Sequence, residues 1–370
     1  MREYRSYLAR TAGMTQRQLD VLLPKGKENG TMKAMVLGKI SSVEEKPLKL
    51  VDLPRPVPGR GQILVRVSAC GVCHTELDEI EGRVSPSRFP MILGHEIVGR
   101  VEGFGPGASK FKKGNRVGIT WINWACGRCS FCLKDEENLC DTAKWTGKDA
   151  PGGYAQYTVV SEDFAYPIPE RFTDVKAAPL LCAGVIGYRA LRLSGMEDGK
   201  VLGLYGFGAS AHIVIQVAKY KYPGGKVFVF TRPNQKEHQN LARKLGADWI
   251  GATGDTSPIK LNCAIDFTPV GEPVREALRN LEKGGRAVIN VIRKTTLIPE
   301  LDYTEHLWYE KEVKSVANVT RRDAQEFLPL AAQIPIVPET QEFKLEDANE
   351  ALILLKAGKI RGAGVLKITE

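Results

Sequence analysis

No stretch of the 370-residue chain approaches the roughly 18–20 consecutive apolar residues that a membrane-crossing helix needs, so no membrane partner is expected. Low-complexity segments are absent, and there is no internal repeat of solenoid period. Also missing is a basic stripe interleaved with aromatic side chains, the footprint of a nucleic-acid groove, so no nucleic-acid partner is expected. The net charge is +9, but residues 1–31 hold six Lys/Arg against three Asp/Glu, which places three of the nine excess charges in one segment. Elsewhere the two signs are interleaved, and a mildly basic surface suits small anions, phosphates included. The first residues show no secretory signal, so the eight cysteines are expected to be reduced and the protein cytoplasmic.

What is present is a globular composition, 43% hydrophobic and 26% charged, on a chain too long for one ordinary core. Residues 1–31, Arg-rich and ending in a Lys/Gly/Asn linker, are expected to form an N-terminal extension. From Met32 to about Pro179 the runs "QILVRVSAC", "EIVGRVEGFG", "GNRVGITWI" and "YAQYTVV" alternate apolar and polar residues between Gly/Pro turns, which predicts a β-rich domain. From about Leu180 the rhythm becomes strand–helix alternation. "KVLGLYG" precedes the helical "SAHIVIQVAKY", and "KVFVFT" precedes "KEHQNLARKLGA". "CAIDFT" then precedes the helical "VREALRNLEKGG", followed by the strands "RAVINVI" and "VKSVAN". That alternation predicts an α/β fold with a parallel, doubly wound sheet. Two helices, "RDAQEFLPLAAQ" and "LEDANEALILLKAG", and a last strand, "GAGVLKIT", are expected to return to the first domain.

Three constellations carry chemistry. Cys126, Cys129, Cys132 and Cys140 stand as C-x2-C-x2-C-x7-C, and four thiolates close a tetrahedral zinc shell, leaving no position for a substrate. Cys73, His95 and Cys182 are scattered. Two thiolates and an imidazole can hold a catalytic zinc with an open position, yet Cys182 also fits plain core and a lone His is more often structural; the residues alone leave both readings open. Third, Gly206, Gly208 and Ala211 form G-x-G-x-x-A between a strand and a helix, a dinucleotide fingerprint. At the end of the next strand stand Thr231 and Arg232, where an NAD site usually has a carboxylate; hydroxyl plus guanidinium suits the 2′-phosphate of NADP(H).

Together "GVCHTEL", "GHEIVG", the four-cysteine run, "LLCAG", "GFGAS" and "GKIRGAGVLKI" resemble the zinc-containing medium-chain alcohol dehydrogenases from about Met32 to the C-terminus. The resemblance implies a GroES-like catalytic domain, 32–180 and 321–370, split around a Rossmann domain, 181–320. It implies two zinc ions per subunit: a catalytic one on Cys73, His95 and Cys182, and a structural one on the four-cysteine lobe. Thr75 matches the hydroxyl that starts the proton relay, Glu76 the carboxylate orienting the ligand histidine, and Glu96 the acidic residue behind the zinc. His74 and Arg361 match pyrophosphate contacts, and Trp121 is similar to an aromatic wall of the substrate pocket. Where many members end the relay in His, this chain has Asp78; Ile186 stands where a Thr often touches the nicotinamide. The activity implied is hydride transfer between a nicotinamide cofactor, NADP(H) favoured, and a primary or simple secondary alcohol or aldehyde, in a homodimer or homotetramer. An NAD-dependent polyol or formaldehyde-type dehydrogenase is the alternative within the fold. A zinc-ribbon binding module is the alternative outside it, and it leaves Cys73, His95, Cys182 and the fingerprint without a purpose.

Overall fold

The computed structural model describes residues 30–360 and 362–369, together with Ala9 and Thr15; most of the expected 1–31 extension, and Arg361, lie outside the described residues. By its contacts the chain forms two units. One comprises the residues up to Cys182, Thr320–Gln325 and those from Val337 onward; the other comprises Ala183–Val319 and Glu326–Ile336. No helix among the described residues is long and apolar enough to cross a membrane.

The first unit opens with β1 (Thr31–Leu37) and β2 (Leu48–Pro54), antiparallel from Thr31↔Pro54 to Leu37↔Leu48. β3 (Gln62–Val72) follows, burying Ile63, Val65, Val67 and Ala69 completely, the period-2 face its sequence predicts. After the single residue Cys73 the chain turns into α1 (His74–Ile80), whose residues from Thr75 to Ile80 are all buried. β4 (Met91–Ile92) joins the β1–β2 pair. Then come β5 (Ile97–Phe104), β6 (Arg116–Ile119), β7 (Ile122–Trp124), β8 (Lys144–Trp145), β9 (Tyr157–Ser161) and β10 (Ala165–Pro167). The run read as one strand, "GNRVGITWI", is thus two: β6 pairs with β5 and β10, whereas β7 pairs with β8 in a separate two-stranded sheet. The break falls at Thr120 and Trp121, where the chain leaves one sheet for the other.

In the second unit α2 (Ala183–Ser194) precedes β11 (Val201–Tyr205), α3 (Ala211–Lys221), β12 (Lys226–Thr231), α4 (Lys236–Lys244) and β13 (Trp249–Ala252). β14 (Leu261–Asp266), α5 (Glu272–Asn280), β15 (Leu281–Ile289) and β16 (Glu312–Ser315) complete it. All six strands are parallel, in the order β13-β12-β11-β14-β15-β16. This is the doubly wound order whose switch point, between β11 and β14, receives ligands in such sheets. Tyr205 stacks on Phe230 at 4.1 Å, Trp249 meets Phe230 edge-on at 5.2 Å, and these rings anchor the core under the sheet. The helical reading of "VREALRNLEKGG" runs too far. The helix stops at Asn280, because Leu281 is extended and fully packed, and Gly284 takes φ +70°, a left-handed conformation a helix excludes.

The C-terminal part supplies α6 (Arg321–Gln333), β17 (Thr340–Lys344), α7 (Ala348–Lys356) and β18 (Ala363–Lys367). β18 pairs with β3 and β17 with β18, extending the first unit's large sheet to β10-β6-β5-β3-β18-β17, with β9 also on β3. Most of α6, Glu326 onward, belongs to the second unit rather than to the returning segment, since Phe327 packs on the Tyr188 ring at 5.8 Å and Glu326 accepts from the Tyr188 hydroxyl at 2.9 Å.

Candidate metal and cofactor sites

α1 begins as it does because Cys73 is its extended N-cap and Glu76 its N3 residue, a reciprocal capping arrangement. One Glu76 oxygen accepts from the Cys73 backbone N–H at 2.8 Å, which aims the other at His95, whose Nδ1 lies 2.6 Å away. The opposite imidazole nitrogen, Nε2, is buried and has no hydrogen-bond partner among the described residues. Around it the fold gathers Cys73 from the end of β3, Glu96 from the entry to β5 and Cys182 from the segment before α2. The donor atoms of Cys73, His95, Glu96 and Cys182 all lie within 4.8 Å of one another. Gly71 makes room for this: a Cβ there would sit 1.9 Å from Glu96 Oε2.

Electrostatics follow the geometry. The Cys182 thiol beside its sulfur holds Cys73 well below the usual thiol range, against burial, with His95 assisting. Cys182 is correspondingly pushed up, by Cys73 first and by burial second. Burial works against a charged His95, but the Glu76 carboxylate and the Cys73 sulfur outweigh it and raise the imidazole. Burial, with the Cys73 charge, pushes Glu96 well up. A buried imidazole nitrogen left without a partner is costly, and two sulfurs, that nitrogen and a carboxylate oxygen in one small space are a donor set that fits zinc. Glu76→Gln keeps the size of the orienting group but removes its charge; zinc affinity is expected to fall about 10–100-fold, measured by competition with a chelator.

Cys126, Cys129, Cys132 and Cys140 also converge, with their sulfurs within 4.8 Å of one another. Backbone N–H groups of Cys129 and Cys132 point at Cys126 Sγ (3.4 Å) and Cys129 Sγ (3.5 Å), the nest of donors a thiolate cluster uses. Against burial, the Thr142 hydroxyl and backbone donors bring Cys140 down to about 6, while burial and its sulfur neighbours push Cys132 up to about 12. Buried Glu137, inside the lobe, accepts from the Arg321 backbone N–H at 2.7 Å and its Nε at 3.0 Å.

The remaining residues singled out from the sequence are placed as follows. Thr75 Oγ1 lies 3.7 Å from Cys73 Sγ, and His74 is exposed at the start of α1. Asp78 is buried and ion-paired with Arg83, which also holds Glu81. The Trp121 ring lies 5.8 Å from that of His95, and Trp145, which the sequence did not single out, packs on Trp121 at 5.3 Å. No spacing rule finds Trp145, because β8 brings it in from another sheet strand. In the second unit Gly206 takes φ +82° at the tight turn between β11 and α3, and its N–H continues the β11–β12 ladder to the Phe230 carbonyl at 2.8 Å. A Cβ on Gly208 would meet nothing within 4 Å, an open cradle beside the α3 N-terminus that fits a pyrophosphate. Thr231 is buried, its hydroxyl accepting from Gln239 Nε2 at 3.1 Å, and Arg232 is exposed.

Residues 59–170 match the alcohol dehydrogenase GroES-like domain. A probable alcohol dehydrogenase, AdhA, of Mycobacterium tuberculosis is 43% identical over 343 residues, 91% of this chain and 98% of that protein. The chain belongs to the zinc-containing medium-chain alcohol dehydrogenase family. An NAD-dependent alcohol dehydrogenase of Sulfolobus acidocaldarius is 34% identical over 91% of this alcohol dehydrogenase and 100% of its own length. A solved structure of a cobalt- and zinc-bound thermostable alcohol dehydrogenase from Pyrobaculum aerophilum superposes with a TM-score of 0.81 at 25% identity, covering 91% of this chain and all of that one.

Proposed function

We propose that this alcohol dehydrogenase interconverts primary or simple secondary alcohols and the corresponding carbonyl compounds, with NADP(H) favoured over NAD(H). The observation that carries the site is the gathering of Cys73, His95, Glu96 and Cys182 donors within 4.8 Å around a His95 Nε2 that has no hydrogen-bond partner among the described residues. In this reading Cys73, His95 and Cys182 hold a catalytic zinc with Glu96 behind it, and Cys126, Cys129, Cys132 and Cys140 hold a structural zinc. Zinc supplies Lewis acidity at the reacting oxygen, and the nicotinamide carries the hydride.

The chain's own residues do the rest. Glu76 fixes the ring orientation and tautomer of His95. Thr75, buried beside Cys73, exchanges a proton with the substrate oxygen; Asp78 stands one turn on, held by Arg83. Trp121 and Trp145 wall the approach with aromatic surface. Gly206, Gly208 and Ala211 open the α3 N-terminus to the pyrophosphate, and Arg232 meets the 2′-phosphate beside Thr231. Self-association as a homodimer or homotetramer in the cytoplasm completes the proposal.

Two zinc ions per subunit by elemental analysis support this assignment, whereas a single one held only by the four-cysteine lobe contradicts it. For the cofactor, Arg232→Ala is expected to lower kcat/KM for NADPH about 10–100-fold, the worth of one charge-assisted hydrogen bond, with little change for NADH. A wild-type preference for NADH, as the name of the Sulfolobus relative suggests for that protein, overturns the NADP(H) reading.

A further inference from the structure

Helix α1 carries three carboxyl groups, and two of them have evident employment. Glu76 binds His95 and the Cys73 N–H; Asp78 is paired with Arg83, itself tied to Glu81, which Lys356 also holds. Glu79 has none. It is fully buried, and neither of its oxygens has a hydrogen-bond partner among the described residues. A buried carboxylate in that condition is far more costly than a buried neutral acid, so the group holds its proton.

Position says what such an acid can do. Thr75 and Glu79 are four residues apart on α1, neighbours on one face, and both are buried. The groups facing Glu79 are Glu76 on its own helix, Cys73 and His95 at the metal cluster, and Lys148 in the loop after β8, whose ammonium lies 3.3 Å from Asp149. Burial, with the Glu76 charge second, pushes the Glu79 carboxyl well up, against His95 and Lys148. An acid so raised is available as a proton donor.

We propose that Glu79 is the proton-holding group of the reaction, exchanging its proton with the Thr75 hydroxyl through one intervening water. This rests on the role given to Thr75 above. In carbonyl reduction the carbon gains the hydride that the family's reaction supplies, and the π pair moves to oxygen. That oxygen takes the Thr75 proton, Thr75 is reprotonated from Glu79, and the Glu79 carboxylate recovers a proton from solvent. Alcohol oxidation runs the same transfers backward, so Glu79 must then be ionised. Asp78, locked to Arg83, serves as a fixed negative neighbour instead of the carrier.

The test is Glu79→Gln, which keeps the shape and removes the exchangeable proton. For the holoenzyme, kcat for aldehyde reduction is expected to fall about 100-fold with KM little changed and NADPH affinity, by fluorescence titration, unaltered. The sign of the pH dependence is set by the raised group. The acid form is complete below its folded pKa and lost above it, so wild-type reduction declines as pH rises through that value while oxidation increases. Both dependences flatten in Glu79→Gln, and Glu79→Asp, which keeps the acid, recovers part of the rate. Independently of activity, the infrared spectrum of the wild type is expected to contain the carbonyl band of a protonated carboxylic acid that Glu79→Gln lacks. An unchanged kcat and pH profile in Glu79→Gln overturns the proposal, as does the absence of that band. Should Glu79→Gln fail to fold, Glu79→Met gives the same readouts. Neither result depends on the metal assignment, which fails separately if Cys182→Ala retains activity.

Discussion

Cys182→Ala is expected to give a folded protein that retains one zinc per subunit and has lost roughly a thousandfold in kcat. The reasoning is local. Cys182 is one of four donors within 4.8 Å, and its removal leaves a shell in which Cys73 and His95 must hold a metal with the weaker Glu96 oxygen. Lewis-acid stabilisation of charge at the reacting oxygen is worth several kcal/mol, and about 4 kcal/mol is close to a factor of a thousand. Folding is expected to survive, because the segment around Cys182 is packed through Leu180 and Leu181, both fully buried, and alanine removes only the thiol. Steady-state kinetics with zinc analysis of the same preparation checks this; full activity with a single zinc would refute the placement of the reaction at this cluster.

Cys132→Ser has the opposite signature: structure is lost before chemistry. Structural zinc sites contribute on the order of 10 kcal/mol of apparent binding energy, comparable to the whole stability of a domain. Without the metal, residues 126–140 have little of their own to hold them. Phe131 and Leu133 are exposed, and the segment's regular structure is limited to two short 3-10 turns. Opening the lobe also withdraws Glu137 from Arg321, leaving the first turn of α6 without its backbone acceptor. Limited proteolysis is expected to cut within 126–140, with a zinc content of one and the surviving intact fraction still active. A protease-resistant lobe with two zinc ions in Cys132→Ser contradicts this account.

How much of this could be read in the sequence depended on whether the chemistry was local. The four-cysteine spacing is local, and its sulfurs converge in the structure. The Gly206–Ala211 fingerprint is local too, lying between β11 and α3 where a strand–turn–helix was expected. The Cys73, His95 and Cys182 cluster depends on three separate elements meeting, so the residues alone leave its purpose open and only the family resemblance points to a catalytic metal. β17 carries no strand signal in the sequence because it is short, polar and half-exposed, and pairs only as an edge strand. β15 was overrun by a helical pattern, since "LEKGG" carries helix-favouring Leu, Glu and Lys until tertiary packing extends Leu281. Arg83, Trp145 and the idle oxygens of Glu79 are properties of contacts, not of spacing. For Glu79 a signal exists: a third acid, four residues after Thr75, on a helix that is entirely buried beyond its first residue.

The central claim is that substrate chemistry takes place at Cys73, His95 and Cys182 and not at the more conspicuous four-cysteine lobe. The optical spectrum of the cobalt(II)-substituted protein, titrated with a substrate alcohol, tests it most directly, because only a metal with an open coordination position responds to an added ligand. The expected result is a shift of the cobalt bands in the wild type that disappears in Cys182→Ala. Bands that do not respond in the wild type, or a response that persists in Cys182→Ala, would contradict the account.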